Sequence, residues 1–243
     1  VVVRSIHHLR TTRAAAAGIA ALCACCAYAG PQSVRATYNG YLNGMHAGVI
    51  TEEYEAEGGN YRLVSQTRTT GLATILNREP LRFSSTGELT AAGLRPIQFE
   101  ARRNAGEPAQ IAASFDWPQG QLTLRHAGKT ESLPLPPGTQ DRLSAMYQLL
   151  FLPLDRMRSI DFAMTNGRKL DQYHYSVTPD VDLNTPIGRL KTLYLVKERR
   201  EPGESSAELW VSAQHHHFPV RLVTVQRNGL RFEQMIQTLD IRE

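Results

Sequence analysis

Histidines are the first residues in this chain whose spacing could do chemistry. Gln214-His215-His216-His217 sets three imidazoles in a row. In an extended segment His215 and His217 would point the same way, within reach of one metal ion. A catalytic zinc takes three protein ligands, and no carboxylate stands at a convincing spacing; Glu208 or His174 would have to arrive through the fold. The triplet therefore reads as a His-rich turn whose role stays open, and no metal-ligating residue is assigned. Trp210, with Pro219-Val220 downstream, reads as a core or rim anchor before a ligand platform, and Trp117-Pro118 reads the same way. Glu52 and Glu53 would face opposite sides of a strand. Asp180-x-Asp182 lacks the later glycine and glutamate of a calcium loop. Both acid pairs are expected to be surface charge. The chain has no G-x-S-x-G elbow, no G-x-x-x-x-G-K phosphate loop and no H-E-x-x-H helix. No catalytic residue and no cofactor are assigned.

The N-terminal segment sets the compartment. Arg4, Arg10 and Arg13 are followed by the uncharged run Ala14–Cys26 and then by Ala27-Tyr28-Ala29. A basic start, an apolar middle and a small-x-small site are the parts of a cleavable secretory leader. The run is shorter than the roughly 20 apolar residues that a spanning helix needs. Residues 1–29 are read as a signal peptide and 30–243 as one exported, periplasmic domain. Leu22-Cys23-Ala24-Cys25 also loosely resembles a lipobox, so a lipoprotein tethered through acylated Cys25 is the alternative. All three cysteines, 23, 25 and 26, lie in the leader, which leaves the domain without thiol, disulfide or zinc–thiolate chemistry.

Charge argues against nucleic acid as a partner. The chain carries a formal +4 and a pI of about 9.1. Three of its cations leave with the leader, which has no acids, so the remainder is nearly neutral and has no long-range pull on a polyanion. Lys197-Glu198-Arg199-Arg200 is broken by acid and reads as a solvated hairpin end.

Turn punctuation predicts antiparallel strands throughout. Asn-Gly recurs at Asn43-Gly44, Asn166-Gly167 and Asn228-Gly229, the pair that a type I′ hairpin favours, and Glu57-Gly58-Gly59-Asn60 makes a fourth turn. Strands are expected over 34–42, 45–55, 61–68, 81–89, 94–102, 111–116, 121–126, 161–165, 168–177, 188–198, 207–212, 220–227 and 230–241. In the last of these the apolar phase passes from Leu230 and Phe232 to Met235, Leu239 and Ile241, predicting a β-bulge near Gln234. Asp141–Leu152, with Leu143, Met146, Leu149 and Leu150 at helical spacing, is predicted to be a helix that packs on or plugs a curved sheet. Asp141 suits its positive end and Pro153 stops it. Gly71–Leu76 is a second, shorter helical piece. The fold class is all-β, a curved antiparallel sheet or open half-barrel with a covering helix.

Several landmarks in order resemble a bacterial exported family known as domain of unknown function 3108. They are Tyr38-Asn39-Gly40-Tyr41-Leu42-Asn43-Gly44, then Gly93-Leu94-Arg95-Pro96-Ile97-Gln98-Phe99, then Asp141-Arg142-Leu143-Ser144 with Tyr147. Asn184-Thr185-Pro186-Ile187-Gly188, Leu209-Trp210-Val211-Ser212 and Phe218-Pro219-Val220-Arg221 complete the series. The histidine triplet departs from that pattern. The resemblance implies export and a β-rich fold, and no reaction. The sheet with its helix also looks like the half-barrels of periplasmic lipoprotein carriers, an analogy of fold alone. The expected function is a non-catalytic periplasmic or envelope protein that binds an apolar, lipid-like ligand or an envelope partner. The alternatives are an envelope hydrolase or metal-dependent enzyme built on His174 or the triplet, and a structural assembly factor of the envelope.

Overall fold

The structure, a computed structural model, describes residues 30–70, 82–103, 106–198 and 203–243. The leader expected over residues 1–29 with Cys23, Cys25 and Cys26, the helical piece expected over Gly71–Leu76, and Arg199 and Arg200 lie outside the described residues.

Among the described residues, fifteen strands form one sheet. The first meander contains β1 (Ser33–Leu42), β2 (Met45–Glu57), β3 (Asn60–Thr69), β4 (Arg82–Thr90), β5 (Gly93–Arg102), β6 (Ile111–Asp116), β7 (Gln121–His126) and β8 (Lys129–Pro134). The second contains β9 (Gln140–Asp141), β10 (Ser159–Thr165), β11 (Leu170–Thr185), β12 (Gly188–Lys197), β13 (Ser206–Ser212), β14 (Phe218–Val225) and β15 (Arg231–Arg242). The meanders join where β1 pairs with β15, and every pairing is antiparallel except β9 with β10. The edge strand β9 curls back over the sheet. Ser85 of β4 donates to Asp141 Oδ2 at 2.5 Å, and Gln140 Nε2 donates to the Leu94 carbonyl at 2.9 Å. The tip of the β10–β11 hairpin also reaches across. A Cβ on Gly167, whose φ is +82°, would lie 2.4 Å from Ile111 Cγ2. The result is an open bowl.

Turn chemistry explains which hairpins are tight. Asn43 and Gly44 both have positive φ, as do Gly58 and Gly59, and these are two-residue type I′ connections. Asn166-Gly167 and Asn228-Gly229 behave differently from expectation. Only their glycines have positive φ, and they sit in longer loops. Asn166 Oδ1 accepts the backbone N–H of Arg168 and Lys169, an Asx-type brace that keeps Asn166 out of the left-handed region. The bulge in β15 also moves. Thr37 pairs with Thr238 and Tyr38 with Ile236, so the extra residue is Gln237, not Gln234. Phe232 and Ile236 therefore pack inward on one phase, Leu239 and Ile241 on the other, and Met235 lies outside the core.

The predicted helix is shorter than its apolar pattern. Helix α1 covers Ser144–Gln148 and tightens into a 3-10 turn over Leu149–Phe151, with a second over Leu154–Arg156. Asp141 belongs to β9, yet its Oδ1 accepts the N–H groups of Leu143 and Ser144 at 2.8 and 3.0 Å, satisfying donors that the first helical turn leaves free. The segment is a plug with two apolar sides. Tyr147, Leu150 and Phe151 join one core cluster, with Tyr147 5.5 Å from both Tyr54 and Phe218. Leu149 and Leu154 join the other, against β10–β13. Burying each such side chain stabilises the fold by about 1.5–3 kcal/mol. β8 was not expected from the sequence, since most of its side chains are exposed.

Candidate functional site

The plug does not fill the bowl completely. At the end marked by the Gly58-Gly59 turn, a groove of about 450 Å3 runs between the plug, the β4–β5 turn and β10. Its apolar wall is made by Leu94, Trp117, Leu149, Leu152, Met157 and Phe162. The turn is fixed to the plug by one side chain. Gln148 Oε1 accepts the Leu94 N–H at 2.7 Å, and its Nε2 donates to the Ala92 carbonyl at 2.7 Å. Gly93 makes this possible, because its φ is +98° and a Cβ there would lie 2.4 Å from Gln148 Oε1. Trp117 forms the rim. Its indole N–H donates to the Pro96 carbonyl at 2.7 Å, and the Arg95 guanidinium sits 5.3 Å over its ring.

Polar groups cluster beneath the plug. Asp141 is fully buried, and burial raises its carboxyl above the ordinary value while hydrogen bonds from Ser85, Ser144 and Leu143 oppose the rise. Glu52 projects inward between Ile50 and Tyr54, accepts from Ser65 at 3.1 Å, and is raised by burial as well. Glu53 is exposed, so the two acids do face opposite sides. The Tyr147 hydroxyl is raised by burial and by the nearby Glu52 charge, yet it and the Tyr54 hydroxyl have no hydrogen-bond partner among the described residues. Burial pushes the Tyr54 phenol up to about 12.

The histidines are drawn apart. Residues 213–217 form a turn, with positive φ at His216 and His217, so the extended geometry that would align His215 with His217 is not present. His215 Nδ1 bonds Ser212 Oγ at 2.8 Å, and burial followed by the His216 charge lowers its pKa. Ser212 is fully buried, which closes its hydroxyl to a substrate. His216 meets Glu243 at 2.8 Å. His217 bonds the Leu152 carbonyl and Asp155, pinning the turn to the plug. His174 lies apart on β11, 2.7 Å from Asp161 and 3.5 Å from Glu198. Among the described residues no three His, Cys, Asp or Glu side chains gather as a metal site. Asp182 pairs with Arg189 and Lys191, which lower it, as surface charge does. Trp210 is half-buried, 4.7 Å from Tyr194 and under the Arg221 guanidinium. Lys197 departs from the solvated hairpin end expected of it. It faces inward and is 8% exposed.

The sequence marks Trp117 as a core or rim anchor, but it assigns no residue to a groove. Leu94, Leu149 and Phe162 each look like ordinary core positions, and their juxtaposition depends on a plug threaded between distant strands. The Leu149-Leu150 pair was the available signal, since adjacent apolar residues on a short helix must serve two different surfaces.

Among the described residues no helix is long and apolar enough to cross a membrane. No curated protein matches the chain significantly. Among solved structures, the complex of Pseudomonas aeruginosa MucA and MucB is similar at 12% identity and a TM-score of 0.39, over 86% of this chain and 51% of that one. The chain thus spans about half the length of that relative. A protein described as a lipoprotein from Parabacteroides distasonis is similar at 10% identity and a TM-score of 0.33, over 87% and 97%. A domain described as an outer membrane lipoprotein-sorting protein from Vibrio parahaemolyticus follows at 9% identity and 0.26, over 86% and 85%. Family membership rests on a different footing: the model of the family described as Protein of unknown function (DUF3108) matches residues 35–235, and the chain belongs to that family.

Proposed function

We propose that this is a non-catalytic protein of the bacterial periplasm or envelope that holds an apolar or amphipathic ligand in the groove beside its plug. The groove carries this reading. Its walls are mostly apolar, and its volume of about 450 Å3 falls in the range of small-molecule sites, roughly 300–1,000 Å3. Arg95 and Asp161, each already paired with a neighbouring charge, are the charged members of its lining. The leader read over residues 1–29 supports the compartment, either by release after Ala29 or by tethering through Cys25.

The test has two arms. Mass spectrometry of the protein taken from its native envelope is expected to return a co-purifying lipid-like compound, together with the mass of the N-terminus, Gly30 or lipidated Cys25. A fluorescent fatty acyl probe should bind the purified protein saturably, and Leu152→Asn with Phe162→Asn should abolish that binding. A probe that binds the double variant as well as the parent defeats the reading. Recovery of a peptide in place of a lipid would instead point to an envelope partner.

A further inference from the structure

Taking the groove beside the plug as a ligand site, as proposed above, its polar lining decides the chemistry of the occupant's head group. Most polar groups of the wall are already engaged. The Trp117 indole N–H donates to the Pro96 carbonyl, and the Thr90 hydroxyl donates to the Gly93 carbonyl at 2.9 Å. Arg95 is paired with Glu88 at 3.3 Å. Asp161 meets His174 and its side chain stands mostly in water, so it makes no demand on a ligand. The Gln148 carboxamide is used at both ends, by the Leu94 N–H and the Ala92 carbonyl.

Gln140 is different. It lines the groove and is only 4% exposed. Its Nε2 donates to the Leu94 carbonyl at 2.9 Å and to the Gly138 carbonyl at 3.4 Å. Two carbonyl oxygens on that side fix the orientation of the amide, since the reverse would set oxygen against oxygen. Oε1 is left without a hydrogen-bond partner among the described residues. Two glutamines thus hold the backbone of Leu94, one by its N–H and one by its carbonyl, but only Gln148 has its own amide completed by the protein. A buried acceptor without a donor is costly, so a ligand that brings the donor gains what the protein does not supply.

The cleft at the opposite end of the bowl, where the Asn43-Gly44 turn lies, has no such gap. It encloses about 510 Å3 between the start of β11, the end of β12 and the β14–β15 turn. Its Lys169 and Lys197 are paired with Asp171 and Glu204, each at 2.5 Å. Among the described residues no buried side-chain nitrogen or oxygen of its lining lacks a partner.

We infer that Gln140 Oε1 is the polar anchor of the groove and takes an uncharged hydrogen-bond donor, a hydroxyl or an amide N–H carried on an apolar chain. An ionised carboxylate has acceptors only. It would meet Oε1 as oxygen against oxygen and bring its charge against a mostly apolar wall. The groove therefore selects neutral amphiphiles, of the fatty alcohol, acylglycerol or acyl amide kind, over free fatty acids.

The test compares head groups on one chain length, by displacement of the fluorescent acyl probe, used as its neutral methyl ester, from the purified protein. Decyl methyl ether keeps the oxygen of 1-decanol and lacks its donor. 1-Decanol should bind about tenfold more tightly than this ether, and than decanoate at neutral pH, the scale of one buried hydrogen bond. Decanamide against N,N-dimethyldecanamide repeats the comparison, and the tighter of decanol and decanamide tells a hydroxyl ligand from an amide. Gln140→Met keeps the length of the side chain and removes Oε1, so the gap between alcohol and ether should close while the ether binds as before. That variant also gives up the bond to Leu94; if it does not fold, Asp161→Ala decides, because the gap should persist when the wall's other acceptor is removed. Equal binding of alcohol and ether, tighter binding of decanoate, a gap that survives in folded Gln140→Met, or one that closes in Asp161→Ala overturns the inference and leaves the groove a ligand site. A probe that does not bind at all defeats the reading of the groove, and the inference with it.

Discussion

The two ends of the bowl are built by one alternation and end in opposite chemistry. Toward the Gly58 end, the inner positions of β3 and β12 are apolar: Tyr61 and Leu63 on one, Leu193 and Leu195 on the other. Following the same strands toward the Asn43 end, Ser65 succeeds Leu63 and Lys197 succeeds Leu195, while on β11 Asp171 lies beyond Tyr175 and Tyr173. A strand alternates faces every residue, so the inner row is one side chain in two, and its polarity can change along the strand without altering the sheet. The plug accentuates the contrast. Its apolar side chains serve the Gly58 end and the centre, and its N-terminal Asp141 and Arg142 point to the polar end. The result is an apolar groove at one end and a charged cleft at the other.

The comparison breaks most visibly if the plug anchor is removed. Leu154 is fully buried in the cluster behind the groove, and Leu154→Ala should cost about 2–5 kcal/mol in denaturant unfolding. Hydrogen exchange should rise first in residues 149–162, around the groove, with the β1–β2 hairpin still protected. If both ends lose protection together, they are one cooperative unit and the contrast is chemical only. A smaller effect is expected from Gly93→Ala. Its positive φ strains an alanine by about 1–3 kcal/mol, and the new Cβ would displace Gln148 from the turn. Stability should fall by that amount, and acyl-probe affinity with it.

The sheet was legible in the sequence because its signals are local. Asn43-Gly44 and Gly58-Gly59 dictate two-residue turns from their own conformational preferences, and the strands on either side follow. Asn166-Gly167 was misread because an Asn side chain can brace a longer loop as readily as it can adopt positive φ. The bulge at Gln237 was placed three residues early because Met235 was counted as core, while Ile236 carries the inward phase. The triplet's alignment failed for a related reason: a turn between β13 and β14 sends His215, His216 and His217 to Ser212, Glu243 and Asp155 separately. Sites were the least legible part. Both the groove and the cleft draw on positions far apart in the chain, and Lys197 looks like any hairpin lysine until β12 turns it inward.

Acidity sharpens the contrast from the polar side. The folded state raises the Glu52 carboxyl above its ordinary 4.5, so the native protein binds more protons than the unfolded chain between those two values. Stability from this group is therefore fully present below about pH 4.5 and is lost as pH rises through the folded value. Glu52→Gln should remove that loss, flattening the decline in melting temperature between pH 4 and neutrality. Asp141 titrates in the same direction, so part of the slope should persist. His215 acts oppositely: its lowered value means stability is lost as pH falls below about 6.5, and His215→Gln should remove only that limb. Thermal melts across this range separate the three.

The smallest effect concerns the boundary between the two ends. Tyr147 is 1% exposed, and its ring is held by Tyr54 and Phe218, but its hydroxyl has no partner among the described residues. A buried hydroxyl without a hydrogen bond costs about 1–3 kcal/mol, and deleting it while keeping the ring leaves the packing intact. Tyr147→Phe should therefore be as stable as the parent or slightly more so. A loss of more than about 1 kcal/mol would mean that the hydroxyl makes a bond worth keeping, on the scale of one net hydrogen bond. Glu52 is the acceptor at hand, and the polar end would then reach into the plug through Tyr147 rather than stop at Arg142.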